Sequence, residues 1–270
     1  MGDGYSKQNA IHSPNVDGRA LRSLRNYLLD YNPPRGHMDH INILLFGMCE
    51  AGKSATINTI LSALDQERRT INCVTTGINP DSLTLKLEFY SSNSLRFWDS
   101  SGWNTPKDAA QKKKLLTMIL EGRVPAQTNL KEFNPDLDDG QYPVIPENKI
   151  HGVAFIFNIN ILDNTPMHLI EHFQELQTIV AQKNVYRIVI GTNIDHLGVP
   201  EKYYHLIYNY KQLQKKFQKL SAETGMEERT MFAVANEWKG DTIDQTRCVL
   251  ILYALENMVR NIDKYIKVTQ

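Results

Sequence analysis

Gly47, Gly52, Lys53 and Ser54 form the pattern G-x-x-x-x-G-K-[ST], as Gly-Met-Cys-Glu-Ala-Gly-Lys-Ser. Such a loop does its chemistry with backbone. The N–H groups of Gly47 and of Glu50, Ala51, Gly52, Lys53, Ser54 and Ala55 would make a nest for phosphate oxygens. Lys53 would neutralise β- and γ-phosphates, and the Ser54 hydroxyl would ligate Mg²⁺. A second element, Asp99-Ser-Ser-Gly102, fits D-x-x-G. Its carboxylate can hold Mg²⁺ through water, and the Gly102 N–H can meet a γ-phosphate. A third, Thr192-Asn-Ile-Asp195, stands where a base-reading T/N-K-x-D motif belongs. The Asp195 carboxylate can accept from the N1–H and the 2-amine of guanine. Adenine has an acceptor at N1 and would leave the carboxylate unpaired. Asn193 replaces the usual lysine.

Weaker candidates surround these three. Thr75 and Thr76 lie in the loop after the first helix of the phosphate site, and either could close over Mg²⁺; Thr75 is favoured. Ala235 and Asn236 follow the last strand and could meet the base from the other side. Trp103 stands where small GTPases often place a water-orienting glutamine. Glu50 occupies the position where some relatives of this motif carry an arginine finger, and its charge has the wrong sign for that task. Hydrolysis is therefore expected to be slow, or assisted by self-association. His12, His37 and His40 cannot be placed from sequence.

These motifs require strands ending at Gly47, Asp99 and Thr192. Ile41–Phe46 is a short apolar run suited to a buried strand, and 55–64 has helical periodicity. Leu83–Tyr90 alternates, Ser91-Ser-Asn-Ser reads as a turn, and Leu95–Trp98 returns. That hairpin separates GTPase-like folds from phosphate-loop folds made only of βαβ crossovers. Helices are expected at 20–31, 107–122, 166–182, 201–224 and 243–266, and further strands at 151–158, 187–191 and 231–235. The prediction is an α/β P-loop fold of the Ras-like, TRAFAC type. It has a mostly parallel sheet, one antiparallel edge hairpin, and helices on both faces. Residues 1–37 read as a tail with one short helix that packs on the domain, and 38–270 as the G domain. Residues 123–149 form a long Pro-, Asn-, Asp- and Gly-rich insertion.

The bulk composition excludes other classes. Lys+Arg and Asp+Glu both total 30, so no global field draws nucleic acid or acidic membranes. Cys49, Cys73 and Cys248 are widely spaced and suit a reducing cytosol. No apolar stretch has membrane-spanning length and no secretory signal opens the chain. Gly2 and Ser6 fit the loose myristoylation pattern, although Asp3 counts against it.

The Gly47–Ser54 loop, Thr75–Ile78, Asp99–Gly102 and His151–Asn160 together resemble the interferon-induced protein 44 family of dynamin-superfamily-like GTPases. Thr75–Ile78 is also similar to the switch region of guanylate-binding proteins and atlastins. The resemblance covers about residues 38–268 and implies GTP or GDP with Mg²⁺ as ligands, cytoplasmic residence and an innate-immune role. It also implies a homodimer across the nucleotide face, with an unidentified protein effector. Long family members carry an extra N-terminal domain, so the chain is expected to be a short member or an excised G domain. Two other readings stay open: a nucleotide-switched or nucleotide-free interaction scaffold, and an ATP-using phosphotransferase. The hairpin and Asp195 speak against the second.

Overall fold

In the computed structural model the described residues are 13–34, 38–74, 86–100, 102, 109–138, 140, 142–236 and 238–268. Thr75, Thr76, Trp103, Gly2, His12 and His37 lie outside them. Six strands make one sheet in the order β2-β3-β1-β4-β5-β6. They are β1 Ile41–Gly47, β2 Glu88–Ser92, β3 Leu95–Asp99, β4 Gly152–Asn158, β5 Tyr186–Thr192 and β6 Met231–Ala233. All neighbours are parallel except the β2–β3 hairpin at the edge. The expected fold class is observed.

Both faces of the sheet are covered, so its central strands β1, β4 and β5 are largely apolar on both sides. On one face Leu44, Phe46, Val153, Phe155, Phe157 and Val189 pack beneath α3 (Ala109–Leu120), α5 (Met167–Gln182) and α6 (Lys211–Thr224). On the other, Ile43, Leu45, Ala154, Ile156, Ile188 and Ile190 meet α1 (Gly18–Leu29), α2 (Lys53–Leu64) and α7 (Gln245–Val268). The alternation along β1, β4 and β5 is the period of two that a strand imposes. Asp17 caps α1 by accepting from the N–H groups of Arg19 and Ala20 at 2.9 and 2.7 Å. Buried Arg25 then donates through Nε to the Ala63 carbonyl at 2.9 Å. A cation on the last turn of α2 meets the negative end of that helix.

Two elements depart from expectation by more than two residues, positions 83–85 of the first lying outside the described residues. The hairpin strand runs on to Ser92, and the turn is Asn93-Ser94, with Asn93 at φ 49°. Asn tolerates this left-handed backbone, which a two-residue hairpin requires. Leu87 pairs instead with the insertion. Its N–H donates to Thr128 and its carbonyl accepts from Gln127. The continuous helix expected over 201–224 is two pieces, a 3₁₀ run Glu201–Asn209 and α6, joined at extended Tyr210. Buried positions explain the break. Tyr204, Ile207 and Tyr208 point inward, and the next buried residue is Leu213. An unbroken helix would have turned Lys211 or Gln212 into the core.

The 123–149 insertion is tied to the sheet. It contains α4 (Pro135–Asp138), and Leu130 and Phe133 are buried in the core. Asn42, 1% exposed on β1, donates through Nδ2 to the carbonyls of Glu147 and Lys149, each at 2.8 Å. Its Oδ1 accepts from Trp98 Nε1 at 3.0 Å, and its backbone N–H donates to His151 Nδ1 at 2.9 Å. Asn42→Leu removes all three side-chain bonds and leaves the buried indole N–H unsatisfied. The expected cost is about 3 kcal/mol, since each orphaned buried group costs ~1–3. A urea melt measures it, and limited proteolysis should become faster within 123–149.

The candidate phosphate and base site

The parallel strands carry the three motifs to one end of the sheet. The phosphate loop leaves the end of β1, Asp99 is the last residue of β3, and Asn193–Asp195 follow β5. Gly47 pairs with Ile156 of β4. A Cβ on Gly47 would stand 2.4 Å from the Ile156 carbonyl oxygen, so only glycine lets the loop start this close to the sheet. Glu50 and Gly52 both have positive φ, 62° and 90°. Alternation of left- and right-handed backbone turns successive N–H groups inward, which is how an anion nest is built. Gly52 is also the N-cap of α2, and Thr56 donates its N–H and its hydroxyl back to the Gly52 carbonyl, both at 2.8 Å.

Lys53 is 6% exposed. Its Nζ donates to the Met48 carbonyl at 2.9 Å and the Gly47 carbonyl at 3.3 Å. Burial pulls its pKa down, and the negative charge of Asp99 works in the opposite direction. Ser54 donates its hydroxyl to Asp99 Oδ2 at 2.7 Å, and Asp99 is 1% exposed. The lysine, the serine and the carboxylate expected to act together are therefore brought together. Gly102 lies directly against the loop. A Cβ there would stand 2.4 Å from the Cys49 nitrogen and 2.5 Å from its Sγ.

The second half of the site is organised by contacts distant in sequence. Thr192, fully buried, places its hydroxyl 2.7 Å from the Ala51 carbonyl and 3.1 Å from that of Phe157. It thereby couples β5 to the phosphate loop. Asn193 adopts φ 62°, ψ 34° and starts a 3₁₀ turn over Ile194–Leu197. Left-handed backbone is easier for Asn than for Lys, which gives a local reason for the residue found here. Asn160 donates to the Asn193 carbonyl at 2.7 Å. The Asp195 side chain is 17% exposed, and its Oδ2 lies 3.1 Å from His196 Nε2. Behind it, burial and then the Asp195 charge raise the Tyr204 pKa. Arg247 lies over the Tyr204 ring at 5.1 Å and bonds Asp244 and Glu201.

Ala235 is fully buried after β6. The side chain of Asn236 is turned to α2, donating to Thr56 Oγ1 and accepting from the Thr59 hydroxyl, both at 2.9 Å. Sequence reasoning gave no role to Thr192, Asn160 or Arg247. Thr192 carried a signal, being part of the T-x-x-D string, but its tie to Ala51 spans 141 residues.

The fold defined by this sheet and loop is that of the P-loop GTPases. Toc33 from Arabidopsis thaliana shares it at a TM-score of 0.50 and 11% identity, over 90% of this chain and 91% of that one. No protein-family model matches the chain. Among curated proteins, the chain is similar to interferon-induced protein 44 of Mus musculus. They are 22% identical over 253 residues, 89% of this chain and 59% of that protein. The Homo sapiens protein of the same name is 24% identical over 91% of this chain and 57% of its own length. Interferon-induced protein 44-like of Homo sapiens is 23% identical over 91% and 58%. The family resemblance read from the motifs thus extends across about nine-tenths of the chain, which spans less than three-fifths of these relatives.

Proposed function

We propose that the chain binds guanine nucleotides, with phosphates in the Gly47–Ala55 nest and the base on Asp195. The observation that carries this reading is the convergence of Lys53, the Ser54–Asp99 pair and Asp195 at one end of the sheet. Toc33, which shares the fold, has been solved with GDP and Mg²⁺. Ser54 and Asp99 are the described residues that fit a hard cation. They offer a hydroxyl and a carboxylate oxygen already 2.7 Å apart, and Mg²⁺ takes oxygen donors. Thr75 and Thr76 are further candidates for the same ion. When bound, Mg²⁺ would neutralise charge between the β- and γ-phosphates. Lys53 would turn from the Gly47 and Met48 carbonyls to a phosphate oxygen, and the Gly102 N–H would report the γ-phosphate.

Base choice follows from the carboxylate. Asp195 accepts two N–H bonds from guanine and is left unpaired by adenine. Asn193, Ala235 and Asn236 border the base side; Asn236 acts by bracing Gly52 and α2. Slow or self-association-assisted hydrolysis is the extended form of the proposal, because neither Trp103 nor Glu50 supplies the usual catalytic group. A nucleotide-switched binding module with little turnover is the competing form, and turnover that rises with protein concentration separates them. By resemblance to interferon-induced protein 44, the chain would form a homodimer across the nucleotide face, engage a protein effector, reside in the cytoplasm and serve an interferon-linked immune role.

Asp195→Asn tests the base assignment. An amide can donate to the 2-carbonyl of xanthine and no longer pairs both guanine donors. Calorimetry should show wild type preferring GTP over XTP by about 100-fold, and the variant reversing that preference. An unchanged preference would place the base elsewhere.

A further inference from the structure

Across residues 202–222 the chain carries five lysines and no Asp or Glu, although the whole chain is balanced at 30 and 30. Lys216 and Lys219 are held by Asp163, at 2.7 and 3.0 Å. Lys202, Lys211 and Lys215 are exposed and meet no carboxylate among the described residues. The extended break at Tyr210 sets the 3₁₀ run against the start of α6 at an angle. The bend leaves a concavity of about 540 Å³, lined by Leu206, Asn209, Tyr210, Lys211, Gln212 and Lys215. Leu206 is 40% exposed, and neighbouring Tyr203, 39% exposed, carries Lys202 over its ring at 4.9 Å.

We propose that this ledge is a docking site for an acidic protein segment bearing a leucine-like side chain. Charge complementarity selects the occupant. The lining includes Lys211 and Lys215 and no Asp or Glu. Leu206, exposed in the same lining, selects an apolar side chain on that occupant. An anionic bilayer is met instead by a protruding apolar face with basic flanks. Specificity of this kind comes from apolar anchoring at the centre and steering charge at the rim. The ledge follows the Asp195 turn, and Glu201 at its start is bonded to Arg247 at 3.0 Å.

The test uses the full chain and a fluorescein-labelled peptide of four Glu-Glu-Leu repeats, read by fluorescence anisotropy. The expected result is binding at least tenfold tighter than that of four Glu-Glu-Ser repeats or four Lys-Lys-Leu repeats. Affinity should fall severalfold between low salt and 300 mM salt. Lys211→Glu with Lys215→Glu should weaken it tenfold or more, and Leu206→Ser severalfold, with unchanged circular dichroism. Equal binding of the Glu-Glu-Ser peptide would overturn the proposal. So would no peptide binding, or binding to phosphatidylserine vesicles without binding to the peptide.

Discussion

Lys53→Met is expected to lower GTP affinity about 100- to 1,000-fold while leaving the melting temperature unchanged or raised. The two halves of this expectation have one cause. Lys53 is 6% exposed, and its ammonium is held by two backbone carbonyls rather than by a bonded carboxylate. Burial lowers its pKa, so the protein bears a desolvation cost for keeping the charge. The buried Asp99 carboxylate keeps its hydrogen bond from Ser54 at 2.7 Å, so removing the ammonium lifts its desolvation cost without stripping that carboxylate of its donor. The same charge facing phosphates in a desolvated site contributes on the order of 3–4 kcal/mol, which is the stated loss in affinity. Calorimetric titration with GTP and a thermal melt measure both halves. Loss of binding with a large drop in stability would mean that Lys53 is structural.

Gly47→Ala is expected to destabilise the fold by about 3 kcal/mol and displace the phosphate loop. The added Cβ meets backbone, standing 2.4 Å from the Ile156 carbonyl oxygen and 3.2 Å from its carbon. Ile156 sits in β4, which is held between β1 and β5 and cannot retreat. Overpacking of this kind costs ~1–3 kcal/mol, and about 3 kcal/mol lowers the melting temperature of a domain of this size by roughly 6–12 °C. Gly198→Ala is the internal comparison. Its φ is 74°, but nothing lies within 4 Å of the added Cβ, so it reports left-handed strain alone. That strain costs about 1–2 kcal/mol. Equal shifts in the two variants would show that the Gly47 contact has relaxed.

The contiguous parts of the candidate site are legible in the sequence because each motif spans only a few residues. Gly47–Ser54, Asp99–Gly102 and Thr192–Asp195 sit at strand ends that apolar runs already marked, and the β2–β3 hairpin told the fold from its βαβ relatives. Long-range hydrogen bonds were not legible. Asn236 looked free to meet a base, yet its amide is engaged by Thr56 and Thr59, about 180 residues away in the chain. Likewise, composition marked 123–149 as a loop. It could not show that Asn42, a polar residue in an apolar strand, accepts the Trp98 indole and holds the end of that loop. The break at Tyr210 was visible only in the spacing of buried residues, where the step from Tyr208 to Leu213 does not fit a helix.

Every role proposed for the residues of the phosphate and base site depends on guanine-nucleotide binding. That binding is tested most directly by titrating nucleotide-free protein with GTP and with ATP, each with Mg²⁺, in a calorimeter. Saturable GTP binding is expected, weakened when Mg²⁺ is withheld, with ATP at least about 100-fold weaker, the discrimination expected when a half-buried carboxylate is left without its donors. Equal affinity for ATP, or no binding of either nucleotide, would contradict it.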